Sequence, residues 1–138
     1  MIMCDLMKEL EEKEFTGYKV VAKHKQNGKY YSIAMGFCYN DSEIIPVVEE
    51  QNRIGHYFVG DILKHITFKN EMVGRTAVFK SLDQAKELLE EIMEDSDHYD
   101  LNYNFIIVEA TVLEDLLEGF YYINPVVAGR KIKFISEV

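Results

Sequence analysis

Tryptophan is absent from this chain, and cysteine and proline occur only twice each in 138 residues. Cys4 and Cys38 form no CxxC pair, so neither a disulfide framework nor a zinc ribbon is expected. Both read as free thiols that pack as small hydrophobes in a reducing compartment. No apolar run approaches the roughly 18–20 residues that span a bilayer. Asp5 stands where a leader would have its basic region or apolar core. A cytoplasmic chain with no membrane segment is expected, which makes the sequon at Asn40-Asp41-Ser42 a chance match. The phosphate loop, the GxGxxG fingerprint, the HExxH zinc motif and the GxSxG elbow are all missing. His24, His56, His65 and His98 are scattered without ligand spacing, so no metal and no cofactor are expected. Residues 95–100 resemble a calcium loop only superficially: Asp100 replaces the glycine of the sixth position and Ile106 the glutamate of the twelfth.

What is present suits one globular domain over residues 1–138. Hydrophobic residues make up 48% and charged residues 28%, which excludes a disordered or low-complexity chain. A chain this long buries roughly two thirds of its unfolded surface and needs no metal or disulfide to fold. Residues 1–14 suggest a short N-terminal helix over 3–14, with Met3, Leu6, Met7 and Leu10 as its apolar stripe. Such a stripe offers one route to a homodimer. Asn27-Gly28 is the favoured pair for a two-residue hairpin turn. It predicts a hairpin over 17–37 in which Gln26 faces Lys29 and His24 faces Tyr31. One face would then carry Tyr18, Val20 and Ala22, and the other Lys19, Lys23 and Lys25 around Val21. Residues 39–72, interrupted by Pro46, give no single pattern.

Residues 75–136 predict strand, helix, strand, strand. Residues 76–79 read as a strand, and Ser81-Leu82-Asp83-Gln84 as a capping box. Leu82, Ala85, Leu88, Leu89, Ile92 and Met93 make one stripe of a helix at about 82–94. Residues 103–112 are apolar on both faces, as a covered central strand would be. Residues 113–122 predict a short helix or loop, and 130–135 the closing strand, with Ile132 and Phe134 inward. The expected fold class is α+β: a mainly antiparallel sheet with an N-terminal hairpin, one amphipathic helix (about 82–94) packed on one face, and a short N-terminal helix.

Charge is segregated. The chain holds 15 bases and 24 acids, a net charge of -9, which makes nucleic acid an unexpected partner. Residues 81–118 carry twelve of those acids and one base, Lys86, whereas residues 15–40 carry Lys19, Lys23, Lys25 and Lys29 and no acid. Two surfaces follow. A basic sheet face of Lys19, Lys23, Lys25, Tyr30, Lys131 and Lys133 would suit an anionic partner, although lysines also guard sheet edges. An acidic 81–118 surface would mimic phosphate in a basic protein groove. A separate pocket is suggested by His24, Tyr31 and Glu109, polar groups on otherwise apolar faces. These three resemble the histidine, tyrosine and glutamate that ADP-ribosyltransferases place on separate strands. That resemblance implies a nucleotide-type ligand binder or enzyme on the tyrosine-rich sheet face, with Glu109 as the catalytic acid.

A broader likeness rests on Gly17-Tyr18-Lys19-Val20-Val21, on 28–33 as the return strand, on Val78-Phe79-Lys80-Ser81 leading into a helix with Ala85, and on Lys131-Ile132-Lys133. These segments resemble small uncharacterised proteins of phages, prophages and their microbial hosts. The resemblance implies an α+β fold and a cytoplasmic setting, attaches no activity, and favours a protein that binds and modulates a host component. The function expected from the sequence is therefore non-enzymatic binding of another protein.

Overall fold

The computed structural model describes residues 8–33, 38–39, 75–94, 102–121 and 124–138. These form β1 (Lys8–Glu9), β2 (Glu14–His24), β3 (Tyr30–Tyr31), β4 (Thr76–Phe79), α1 (Leu82–Glu94), β5 (Tyr103–Leu113), β6 (Leu117–Tyr121), β7 (Asn124–Gly129) and β8 (Lys131–Glu137). The fold is α+β with an antiparallel sheet in the order β1-β6-β7-β4-β2-β5-β8, β3 adding to β2. Strands β4 and β5 flank β2 and both run antiparallel to it, so they are mutually parallel and α1 crosses over β2 between them.

The sheet folds back on itself. β1 stands at one end of the order and β2 in its middle, yet residues 10–13 join them directly, and residues 114–116 join β5 to β6 in the same way. The two bent segments run side by side through one corner. There Leu10 N–H donates to the Leu116 carbonyl at 3.0 Å and Glu114 N–H to the Lys13 carbonyl at 3.4 Å. Glu114 and Asp115 turn the corner at φ 65° and 51°, a region non-glycine residues seldom adopt. Bases hold them there. Arg130 Nε donates to Asp115 Oδ2 at 2.9 Å, Arg75 Nε to the Asp115 carbonyl at 3.1 Å, and Lys131 Nζ lies 2.9 Å from Glu114 Oε1.

Two cores result, one on each side of β2 and β5. Under α1 lie Val20, Ala22, Phe79, Ala85, Leu88, Ile92, Phe105, Ile107, Val126 and Ala128. Within the fold-over lie Val21, Tyr39, Val78, Val108, Ala110, Val112, Leu116, Val127 and Ile132. Gly17 marks the crossing of β2 and β4: a Cβ there would meet the Phe79 carbonyl oxygen at 2.3 Å, backbone that cannot step aside. The side of β2 that carries Lys19 and Lys23 is therefore not a solvated face, as the alternation alone implied. It encloses the second core, because curvature brings β4, β7 and β8 over it.

Helix α1 has the expected bounds. Ser81 Oγ accepts the Gln84 N–H at 3.4 Å, which supplies half of the capping box. The other half is missing: Gln84 Nε2 points to Asn124 Oδ1 at 3.4 Å instead of returning to Ser81.

Three expectations are corrected. The described part of the predicted 3–14 helix is extended: Lys8–Glu9 pairs with β6, and Leu10 packs into the enclosed core rather than along a helical seam. Twelve residues crowded with glutamates nucleate a helix poorly, and a ready sheet neighbour wins. Residues 3–7 lie outside the described residues. The hairpin keeps its faces but not its register: Ala22 pairs with Tyr31 and Lys23 with Tyr30, a shift of two residues. The loop is longer because His24 N–H bonds the Lys29 carbonyl, leaving residues 25–28 as a four-residue turn with only Gly28 at positive φ, 71°. The expected partners of Tyr18 to Val21 at residues 34–37 lie outside the described residues. Finally, the predicted helix or loop over 113–122 contains β6, and β7 follows with Pro125 near its start, where proline is tolerated. Residues 40–74, including most of the ambiguous 39–72 region, and residues 95–101 with the calcium-like sequence are likewise outside the described residues. So is Cys4, while Cys38 is a free, half-buried cysteine whose backbone forms an isolated antiparallel bridge with Tyr31.

Candidate functional site

Three groups of side chains carry the polar chemistry of the described surface. The first lies at the hairpin tip. His24 on β2, Tyr31 on β3 and Tyr103 on β5 are cross-strand neighbours. His24 and Tyr103 meet edge to face at 5.0 Å between ring centroids and Tyr31 and Tyr103 at 5.5 Å, while His24 and Tyr31 are tilted at 6.3 Å. His24 Nδ1 accepts the N–H groups of Gln26 and Asn27 at 3.2 and 3.3 Å, so the neutral Nε2–H tautomer fits the turn. Asn27 Oδ1 accepts the Lys29 N–H at 2.8 Å, and its Nδ2 donates to the Tyr31 hydroxyl at 3.3 Å. The imidazole thus caps the loop. Glu109 is not brought to it: Glu109 pairs with Tyr18 and Tyr103 with His24, six residues apart along β5, or about 20 Å. The structure unites His24 with Tyr31 and leaves the third member of that candidate set well along the strand, opposite Tyr18.

The second group contains the predicted basic residues. Lys19 is half-buried. Its Nζ donates to the Ala77 carbonyl at 2.7 Å and sits 5.8 Å from the centre of the Tyr39 ring. Lys23 Nζ reaches Glu137 Oε2 at 2.6 Å, and the Tyr30 hydroxyl donates to the same oxygen at 2.8 Å. The Tyr30 ring packs edge to face on Phe134 at 4.8 Å. Burial, then the hydrogen bond to Glu137 and its charge, push the Tyr30 hydroxyl up to about 12. The bonds from Lys23 and Tyr30 hold the Glu137 carboxyl below its ordinary range. Lys131 pairs with Glu114, while Lys25 and Lys133 are exposed. The six residues therefore divide between the enclosed side of the sheet, its outer side and the hairpin tip, and carboxylates answer three of them, Lys23, Tyr30 and Lys131. Glu137 was not legible as their partner, because nothing near it in sequence marks it.

The third group is the outer face of α1. At 3.6 residues per turn, Asp83, Glu87, Glu90, Glu91 and Glu94 fall within an arc of about 100° and run for about 16 Å, directly opposite Ala85, Leu88 and Ile92. All five are exposed, and among the described residues none takes part in an ion pair. The last turn holds no base, so Glu91 and Glu94 sit at the negative end of the helix dipole. Asp83–Glu87, Glu87–Glu91 and Glu90–Glu94 are like charges at i,i+4, each costing about 0.2–0.5 kcal/mol. Burying Leu88 and Ile92 contributes roughly 1.5–3 kcal/mol apiece, so the helix forms despite its stripe and not because of it.

Among the described residues there is no group of His, Cys, Asp and Glu that could hold a metal ion, and no helix is long and apolar enough to cross a membrane. No family model, no curated protein and no solved structure matches this chain.

Proposed function

We propose that the protein acts by binding another protein, without catalysis, and that the acidic stripe of α1 is the surface it presents to a basic partner. The stripe itself carries this reading: among the described residues none of the five exposed carboxylates is ion-paired, and Lys86 is the one base of the helix that carries them, at a cost to that helix. Bases of the sheet support it from the other side. Lys23, Lys80, Arg130 and Lys131 are each paired with a carboxylate of the same chain, which weakens the case for an anionic ligand on the sheet. A stripe of this kind steers a cationic surface by long-range attraction and presents carboxylates at one-turn spacing, as a phosphate mimic would.

Affinity capture from the native cell followed by mass spectrometry identifies the partner, and charge reversal then tests the surface. Glu87→Lys, Glu91→Lys and Glu94→Lys together should abolish capture, and capture by the unaltered chain should weaken as salt rises. A Lys25→Glu and Lys133→Glu variant should capture as before. Retention by the helix triple variant, or loss with the lysine pair, overturns the assignment.

A further inference from the structure

Strand β8 closes one end of the sheet order, and among the described residues nothing pairs with its outer edge. The hydrogen-bond alternation shows which of its residues are available there. Arg130 N–H donates to the Glu114 carbonyl on the β5 side. In an antiparallel pair every second residue does the same, so Ile132 and Phe134 spend their backbone groups on β5. Lys131 and Lys133 then direct their N–H and C=O groups away from the sheet, towards whatever approaches. This is the geometry of an edge that templates further strands. Ile135 follows it, 55% exposed and without a Cα partner, because the pairing with β5 shifts register there.

We infer that the two lysines make this edge refuse a second copy of the chain, and that the refusal is encoded in the register of their side chains. A two-fold antiparallel pairing that uses the outward groups of 131 and 133 has three registers. The first sets Lys131 against Lys133 of the second copy, twice. The other two set Lys131 or Lys133 against its own counterpart. Every one places ammonium opposite ammonium, which is destabilising for directly opposed side chains. Registers that would bring either lysine opposite Glu137 must run through the irregular step at Ile135. Glu137 is also committed elsewhere: its carboxylate is bound by Tyr30 and Lys23, on the side of the sheet where Phe134 packs. Lys131 and Lys133 alternate with Ile132 and Phe134 and so lie on the other side.

The arrangement makes a sign-specific prediction. Lys133→Glu leaves Lys131 in place, so the first register gains two opposed Lys–Glu pairs and becomes self-complementary. Lys133 is exposed and makes no ion pair among the described residues, so its reversal leaves the fold unstrained. Sedimentation equilibrium at low ionic strength should show the unaltered chain at its monomer mass. The mass of Lys133→Glu should climb with concentration towards twice that value and return as salt is added. The double variant Lys131→Glu, Lys133→Glu opposes acid to acid and should return to the monomer. Lys25→Glu, Lys133→Glu has the same net charge as that double variant but keeps Lys131, and should still associate. Amide exchange at 131 and 133 should slow only in the variants that associate. A monomeric Lys133→Glu, or equal association of the two double variants, overturns the inference.

Discussion

Two places in this molecule go against local preference, and they are handled in opposite ways. At the corner between β5 and β6, Glu114 and Asp115 occupy left-handed backbone at a cost of roughly 1–2 kcal/mol each. Arg75, Arg130 and Lys131 converge on them, and the backbone of Lys13 and Arg130 completes the set. In the last turn of α1, Glu91 and Glu94 oppose the helix dipole and repel Glu87 and Glu90, and among the described residues no base pairs with them. The corner's cost is met by the fold it makes possible, since that bend places Leu116 in the second core and leads the chain on to β7, which closes over it. Among the described residues nothing meets the helix's cost. A violation compensated from within belongs to architecture; one left uncompensated points outside the chain.

The sharpest way to break that comparison is at the corner. Asp115 is exposed, yet Asp115→Val should destabilise by about 2–3 kcal/mol, because a β-branched residue at positive φ is strongly disfavoured and the bond to Arg130 is lost as well. Asp115→Asn keeps the tolerance for left-handed backbone and removes only the charge. It should cost below about 1 kcal/mol, the scale of an exposed ion pair. Urea titration of the two variants decides. Equal losses would mean that charge, not backbone, governs the corner.

The helix should respond with the opposite sign. Glu94→Lys replaces a repulsion with Glu90 by an attraction and places a cation at the negative end of the dipole. A gain of about 0.5–1 kcal/mol is expected, read as a rise in the melting temperature. A loss of stability would show that the stripe is already compensated and remove the contrast. Stability gained together with partner binding lost is the signature of a surface kept for function.

The same distinction explains what was legible in the sequence. Helix α1 and strand β4 declared themselves because their signals are local: the Ser81 cap, a single apolar stripe, a short β-branched run. Strand β5 was readable from its two apolar faces. The hairpin's faces survived while its register slipped by two, because an even slip preserves alternation. The information that lengthened the turn, the His24 imidazole accepting two N–H groups, is invisible in a turn dipeptide. β1 and β6 were missed because their pairing is long-range, with Lys8 meeting Glu118 and Glu9 meeting Leu117. Acidic runs beside each strand also looked helical. Of the candidate residues, Lys19, Lys23, Lys131 and Lys133 fall on the expected strands and Lys25 falls in the turn instead, while the answering carboxylates Glu114 and Glu137 lie on other elements, where no spacing rule reaches.

The smallest effect is expected where sheet charges meet, at Lys23, Tyr30 and Glu137. The Glu137 carboxyl is held below its ordinary range in the folded chain. Its contribution is therefore present above the unfolded value of about 4.5 and fades as pH falls through the lower folded value. Tyr30 runs the other way. Raised to about 12 from 10.0, its contribution is complete below pH 10 and is lost as pH rises through 12. The group is partly solvated, so the acid limb should amount to about 1 kcal/mol or less. Tyr30→Phe should abolish the alkaline limb and shrink the acid one, since Glu137 then keeps only Lys23. Lys23→Met should shrink the acid limb further, because the lysine's bond is the larger of the two. Stability measured against pH in both variants tests this order. If Tyr30→Phe left both limbs unchanged, the Tyr30 hydroxyl would add nothing to the tie between β8 and the hairpin, and that tie would rest on Lys23 and Glu137 alone.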